Sequence, residues 1–161
     1  MVFLVHALEQ LPDAGDIKAR LIEGLDEAGC ARLTDAIALA AEWYGKTKLS
    51  SGESTFQHAL GTALVVASLG LDADVRVAAI LFAAMDYRQD APELLKVGFG
   101  ETAAKLVQSL HRLGVLRPLT RAATDGRMMQ AQTEILRKML LAMVDDIRVV
   151  LLRLASRVQT L

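Results

Sequence analysis

The stretch VAAILFAAMDYRQD (Val77–Asp90) carries the strongest information about the fold of this chain. Small and apolar residues fill it as far as Met85, and polar residues follow from Asp86 onward. A run of this kind, without strict alternation of apolar and polar residues, is typical of a helix that is buried on most sides. Because the aspartates of the preceding LDADV segment are good helix caps, we predict one helix from about Val75 to Tyr87.

The rest of the chain also favours helices. Proline occurs only at positions 12, 92 and 118, and no segment alternates apolar and polar residues long enough to form a sheet. We therefore predict an all-α fold. A second helix that is apolar nearly all round, at about Thr55–Gly70, should lie beside the first one in the centre of a helical bundle.

The remaining predicted helices are amphipathic or short and should surround this centre. Their approximate bounds are 16–25, 31–45, 92–97, 102–113, 128–144 and 145–160. Between the fourth and fifth of them, the segment Arg112–Arg127 is rich in arginine and contains proline and glycine, so it should be a mobile basic loop. A solvated connector and a packing surface remain alternatives for this loop.

Composition sets limits on organisation and partners. A chain of 161 residues, 53% of them hydrophobic, suits a single domain covering residues 1–161. The net charge of −1 gives no overall field that would attract nucleic acid or a membrane, and no apolar run approaches the roughly 20 residues that span a bilayer. The single cysteine, Cys30, excludes an internal disulfide, so we expect a cytoplasmic protein.

The common catalytic motifs are absent: there is no phosphate-binding glycine loop, no nucleophile elbow and no H-E-x-x-H pair. Three histidines remain, His6, His58 and His111. A lone histidine such as His58, at the start of an apolar helix, is most often a core residue whose nitrogens are hydrogen-bonded. A metal site needs several converging donors, so a site formed by His58, Asp86 and a distant acid is the less favoured hypothesis.

The C-terminal segment RKMLLAMVDDIRVVLLRLASRVQTL (Arg137–Leu161) resembles the end of the N-terminal HD domain in the RelA/SpoT family. Hydrolysing members of that family read approximately R-K-M-x-x-A-M-x-x-D-I-R-V-x-x-x-K-L-A-D-R-x-H-N-M at this place. Two further segments align in order: Ser50–Asp72 with the family's S-G-E-P-Y-I-x-H-P segment and the following helix, and Ala78–Tyr87 with A-A-L-L-H-D-V-I-E-D. The resemblance implies an HD-domain-like helical bundle.

The resemblance also identifies positions of a former metal site. Hydrolysing members hold a manganese ion with a histidine, an adjacent His-Asp pair and a later aspartate, and the ion acidifies a water that attacks the 3′-diphosphate of (p)ppGpp. Here the histidine is His58, whereas the His-Asp pair falls on Phe82 and Ala83 and the aspartate on Ser156. We therefore predict no metal ligation and no catalytic residue in this domain.

Positions that support hydrolysis in the family differ as well. The E-D pair falls on Asp86 and Tyr87, and the basic residues that contact the nucleotide base fall on Leu49 and Ser50. An asparagine before R-K-M falls on Ile135. Metal, water-activating and nucleotide-contact positions have thus changed together, and we expect no cofactor here.

This pattern resembles the RelA branch, in which an inactive HD domain precedes an active GTP pyrophosphokinase of the stringent response. That synthetase uses magnesium and transfers a diphosphate from ATP to GTP or GDP when the ribosome carries uncharged tRNA. The expected function is therefore regulatory: a silent HD domain whose partner is a synthetase domain in the same protein, with ribosome and tRNA contacted only through the full-length protein. The synthetase and C-terminal regulatory domains are expected to lie outside residues 1–161.

Two alternatives remain open. The first is a residual manganese-dependent (p)ppGpp 3′-pyrophosphohydrolase that uses His58 and Asp86. The second is a nucleotide-binding sensor without hydrolysis, which requires the former pocket to remain open. We expect the ring of Phe82 to fill much of that pocket, which disfavours the second alternative.

Overall fold

The structure is a computed structural model that describes residues 14–115, 134, 137, 138, 141 and 146–160. The predicted basic loop beyond residue 115 and most of the predicted helix at 128–144 lie outside the described residues. In the described part the chain forms helices α1 to α8, in order Ala14–Ile22, Glu27–Tyr44, Thr55–Ser68, Ala73–Ile80, Ala84–Tyr87, Ala91–Phe99, Glu101–Val115 and Ile147–Thr160.

The all-α prediction is confirmed, and the two most apolar helices lie in the centre. Helix α3 packs against both α4 and α8, while α4 also contacts α2 and α7. Every residue of α4 from Val75 to Ile80 is buried, including Arg76. The remaining helices turn one apolar face toward this pair, as their amphipathic patterns predicted.

The prediction of one continuous helix from Val75 to Tyr87 is wrong. Helix α4 ends at Ile80, residues 81–83 form a turn, and the short α5 begins at Ala84. The hydroxyl of Tyr44, at the end of α2, holds this break: it donates to the carbonyl of Ile80 at 2.9 Å and accepts from the amide of Ala83 at 3.2 Å. Burial raises the pKa of Tyr44 above its ordinary value, so the hydroxyl keeps its proton.

Two arginine side chains form hydrogen bonds that connect the ends of neighbouring helices. The buried Arg76 donates to the carbonyls of Leu21, Glu23 and Leu71, and so satisfies acceptors where α1 and α3 end. Arg32 of α2 bridges the carboxylate of Asp74 and the carbonyl of Phe99. Within the described residues, no helix has the length and apolar character needed to cross a membrane.

Candidate functional site

His58 lies in the first turn of α3, where it is 3% exposed. Its Nδ1 is 2.9 Å from Oε2 of Glu53, and its Nε2 is 2.9 Å from Oγ of Ser156 on α8. An ionised carboxylate only accepts hydrogen bonds, so Nδ1 carries a proton, and in the neutral imidazole Nε2 accepts from the Ser156 hydroxyl. Both nitrogens of the imidazole are therefore engaged by protein groups.

The carboxylate of Glu53 is held from a second side by Gln159. The Gln159 amide donates to Oε1 of Glu53 at 3.0 Å, while Oε2 faces His58. Gly61 makes room for this contact, since a Cβ built at Gly61 would lie 2.1 Å from the amide oxygen of Gln159. Without a side chain at position 61, the last turn of α8 packs closely against α3. Gln159 can then reach Glu53 and hold its carboxylate in place.

Phe82 and Ala83 lie in the turn between α4 and α5. The Phe82 ring packs against His58, with 5.4 Å between centroids, and against Tyr44, with 6.1 Å. Ala83 is buried. The break in the helix therefore directs an aromatic ring at the imidazole, and neither side chain has a lone pair for a metal.

Asp86 and His58 have different partners. Oδ1 of Asp86 lies 3.4 Å from Nδ1 of His111 on α7, and the Asp86 side chain is 63% exposed. The hypothesis that His58 and Asp86 act together in a metal site stays open, with each side chain next to a different partner here. Asp86 instead connects α5 to α7 at the surface.

The hydroxyl of Tyr87 contacts both ends of the loop between α2 and α3. That hydroxyl lies 2.6 Å from Oγ1 of Thr47 and 3.4 Å from Oγ1 of Thr55. Leu49 and Ser50, at the positions where the family contacts the nucleotide base, lie in the same loop, and neither side chain is basic. Ile135, the third such position, lies outside the described residues.

A cavity of ≈ 370 Å³ lies beside these residues, between α5, α7 and α8. Part of its lining consists of Phe82, Asp86 and Ser156. These are positions that the family resemblance assigns to the site of the hydrolysing members, so the cavity lies at that site. The rest of its lining consists of Leu110, His111, Gly114, Leu152 and Arg153. Phe82 lines this space with its ring against His58, and the expectation that the ring fills much of the former pocket stays a prediction.

The residues present do not fit the manganese ion of the family's hydrolases. Among the described residues, no group of three or more His, Cys, Asp or Glu converges as a metal site would require. His58, at the family's first ligand position, already has its Nε2 in a hydrogen bond of 2.9 Å with the Ser156 hydroxyl. A cation there would have to displace that bond.

Comparison with known proteins places the chain in a family. The profile of the HD domain matches residues 36–161. The chain belongs to the HD-domain family. This agrees with the predicted helical bundle and covers the central helices together with α8.

Relatives of this HD domain are enzymes of (p)ppGpp metabolism. The guanosine-3′,5′-bis(diphosphate) 3′-pyrophosphohydrolase of Aquifex aeolicus is 34% identical over 122 residues, which cover 76% of this chain and 16% of that protein. The bifunctional (p)ppGpp synthase/hydrolase SpoT of Escherichia coli is 34% identical over 136 residues, 83% of this chain and 18% of that protein. The GTP pyrophosphokinase rsh of Brucella ovis is 30% identical over 131 residues, 81% of this chain and 16% of that protein.

These relatives support an HD domain of the RelA/SpoT type, and most of the similar proteins carry hydrolase names. The chain spans about a sixth of the length of the relatives that it matches.

Two residues of the site were missed by sequence reasoning, Glu53 and Gln159. A signal existed for each: Glu53 is the acid of the S-G-E segment, and Gln159 falls on the histidine of the R-x-H-N-M pattern. What the sequence did not reveal is that these two side chains meet, since they are 106 residues apart. Their contact depends on how α8 lies on α3.

Proposed function

We propose that this HD domain is silent toward (p)ppGpp and serves as a regulatory module for a (p)ppGpp synthetase domain in the same protein. The observation that carries the proposal is the double engagement of His58 by Glu53 and Ser156, each at 2.9 Å. The histidine at the family's first ligand position is thus bonded within the protein.

Chemistry explains why this arrangement opposes hydrolysis. Metal-dependent hydrolysis requires an ion that lowers the pKa of its bound water, and such an ion needs several ligands at fixed geometry. Phe82 and Ala83 offer none, and Ser156 offers a hydroxyl in place of a carboxylate. A hydroxyl is a much weaker ligand than a carboxylate for a divalent cation, and this one is already hydrogen-bonded to His58.

Support for a regulatory role comes from the preserved fold and from the relatives. The packing of α3, α4 and α8 is intact although the former ligand positions have changed. The matched relatives include proteins named as a synthase and as a pyrophosphokinase, and they are about six times longer than the matched segment. A folded HD domain without its metal still provides surfaces that a synthetase domain can contact.

The proposed absence of (p)ppGpp hydrolysis is tested in two ways. The chain is titrated with Mn²⁺ in a calorimeter, and it is incubated with ppGpp and Mn²⁺. The expected result is no saturable binding and no release of diphosphate. Tight 1:1 binding that is lost in His58→Ala, together with diphosphate release, would instead establish the residual manganese-dependent hydrolase. Glu42→Ala, an exposed acid on α2, is the matched control for nonspecific cation binding.

Regulation is tested in the natural protein that carries residues 1–161. We expect removal of these residues to change the rate of (p)ppGpp synthesis, either in the basal state or in the presence of ribosomes and uncharged tRNA. Identical rates in both states would count against a regulatory role.

The cavity beside Phe82 favours a second candidate, a nucleotide-binding sensor. Its volume of ≈ 370 Å³ falls within the range of ligand pockets, and Arg153 and His111 contribute basic side chains to its lining. Equilibrium binding of ppGpp in the presence of EDTA tests this candidate. Saturable binding that Arg153→Gln weakens would support it.

A further inference from the structure

Glu53, His58 and Ser156 form a series of acid, imidazole and hydroxyl. The carboxylate lies 2.9 Å from Nδ1 of His58, and the Ser156 hydroxyl lies 2.9 Å from Nε2. This order of groups and these distances are those of a nucleophilic serine whose proton is taken by a histidine, which an acid orients. The three residues come from the loop before α3, from α3 itself and from α8.

The surroundings of the three residues suit the same arrangement. Gln159 donates to the other oxygen of Glu53 and fixes the carboxylate, while His58 is buried and screened from water by Phe82. Ser156, in contrast, is partly exposed and lines the cavity between α5, α7 and α8. Ser156 is therefore the member of the series that borders the space a small molecule can enter.

We propose that Ser156 is a nucleophile that His58, oriented by Glu53, activates for acyl transfer from small esters bound in this cavity. The proposal goes beyond the regulatory function and does not depend on it, since it uses no metal and no (p)ppGpp.

The reaction is balanced without a further reagent. Oγ of Ser156 forms a bond to the ester carbonyl carbon while its proton passes to Nε2 of His58. The ester C–O bond then breaks, and the alcohol leaves with that proton. Water next attacks the acyl carbon and gives a proton to Nε2; this proton returns to Oγ as the acyl–serine bond breaks and the acid leaves.

The cavity lining defines the substrate class. Phe82, Leu110 and Leu152 offer apolar surface to a short acyl chain. Ser156 lies within a helix whose amides serve the helix itself, so we assign the oxyanion to the N–H donors of Arg153 and His111, which line the same cavity. A small ester with an apolar acyl group is the expected substrate.

Covalent labelling is the first test. The chain is incubated with diisopropyl fluorophosphate, digested, and analysed by mass spectrometry. We expect the phosphoryl group on Ser156 and none on Ser68, an exposed serine at the end of α3. Label on other serines only, or no label on a correctly folded chain, would overturn the proposal.

Ester hydrolysis is the second test, with 4-nitrophenyl acetate as substrate. Ser156→Ala should lower the rate at least ~100-fold, as expected when a nucleophile and its base no longer cooperate, while Ser68→Ala should leave it unchanged. Glu53→Gln keeps the shape of the side chain and should also lower the rate.

Two outcomes distinguish catalysis from a purely structural network. Acetyl–Ser156 trapped by acid quenching of the wild type supports the proposal, and circular dichroism verifies that each variant is folded. If Ser156→Ala does not fold, the Glu53→Gln rate and the trapped acetyl group decide the question. Equal hydrolysis rates in wild type and a folded Ser156→Ala or Glu53→Gln variant would show that acetate release comes from other surface groups.

Discussion

The aromatic ring of Phe82 packs against the imidazole of His58, with 5.4 Å between ring centroids and an angle of 58° between the planes. The family's adjacent His-Asp pair begins at the position of Phe82, so a ring without a lone pair now faces the remaining histidine. This contact keeps His58 in place, while its polar bonds go to Glu53 and Ser156. The ring therefore lies against the imidazole that acts as the base in the proposed serine chemistry.

Restoring the ligands should restore metal binding. The triple variant Phe82→His, Ala83→Asp, Ser156→Asp returns the family's donor set around His58, and we expect 1:1 binding of Mn²⁺ where the wild type shows none. Calorimetry measures the binding. Phe82→His alone is the matched control and should not bind, since two imidazoles without a carboxylate do not complete the set. Absence of binding in the folded triple variant would contradict the proposed loss of an otherwise intact site.

Removing the hydroxyl of Tyr44 should destabilise the protein. Tyr44→Phe leaves the carbonyl of Ile80 and the amide of Ala83 buried without their shared partner. Such unpaired buried groups cost about 1–3 kcal/mol in the free energy of unfolding, which urea denaturation measures. Tyr87→Phe removes a hydroxyl that lies near the threonine hydroxyls of Thr47 and Thr55, which the change leaves close to each other, so this control should cost less. Equal losses in the two variants would show that the helix break does not depend on Tyr44.

A side chain at position 61 should conflict with Gln159. Gly61→Ala places a methyl group where the Gln159 amide lies, and overpacking of this kind costs about 1–3 kcal/mol. Gln159→Ala in the same chain removes the clash, so the double variant should lose less stability than the sum of the single variants. Thermal unfolding of the four proteins measures this coupling. Strict additivity would contradict the predicted contact.

The carboxyl group of Asp146 should make the free energy of unfolding depend on pH. Arg148 donates to its carboxylate at 2.7 and 2.9 Å, and this hydrogen bonding lowers the pKa of Asp146 below its usual value. A lowered folded-state pKa stabilises the protein above the unfolded pKa of roughly 3.9, and this contribution disappears as the pH falls through the folded value.

Asp146→Asn should therefore destabilise the protein at pH 7, and the difference from the wild type should shrink below about pH 4. Urea unfolding at a series of pH values measures this difference. Asp35→Asn changes an exposed acid on α2 and controls for net charge. A difference that stays constant from pH 7 to pH 3 would argue against the ion pair as its cause.

The sequence predicted the helices well because their signals are local. Apolar runs placed α3 and α4 in the core, and Gly45 after Tyr44 marked the end of α2, where its φ of 49° is suited to glycine. Apart from the helix predicted at Val75–Tyr87, which breaks after Ile80, the predicted helix ends in the described residues lie within a few positions of those observed. Hydrophobic spacing and caps are sufficient for such elements.

The site was less accessible to sequence reasoning, since its contacts join distant parts of the chain. His58 and Ser156 are 98 residues apart, and the positions themselves came from family resemblance. Nothing in local periodicity indicates that Ser156 would bond to the imidazole, or that a cavity would remain beside Phe82. These features depend on the placement of α8 against α3 and α7.

The break at residues 81–83 has a consequence for the order of folding events. The segment Ala73–Tyr87 has the composition of one helix, and a hydroxyl from α2, 36 residues before Ile80, enforces the turn. In isolation, a peptide of this sequence should extend as an unbroken helix in a helix-promoting solvent, because local preference then acts without Tyr44. During folding the turn should form only after α2 has docked, and the orientation of Phe82 toward His58 should therefore be among the last features to appear.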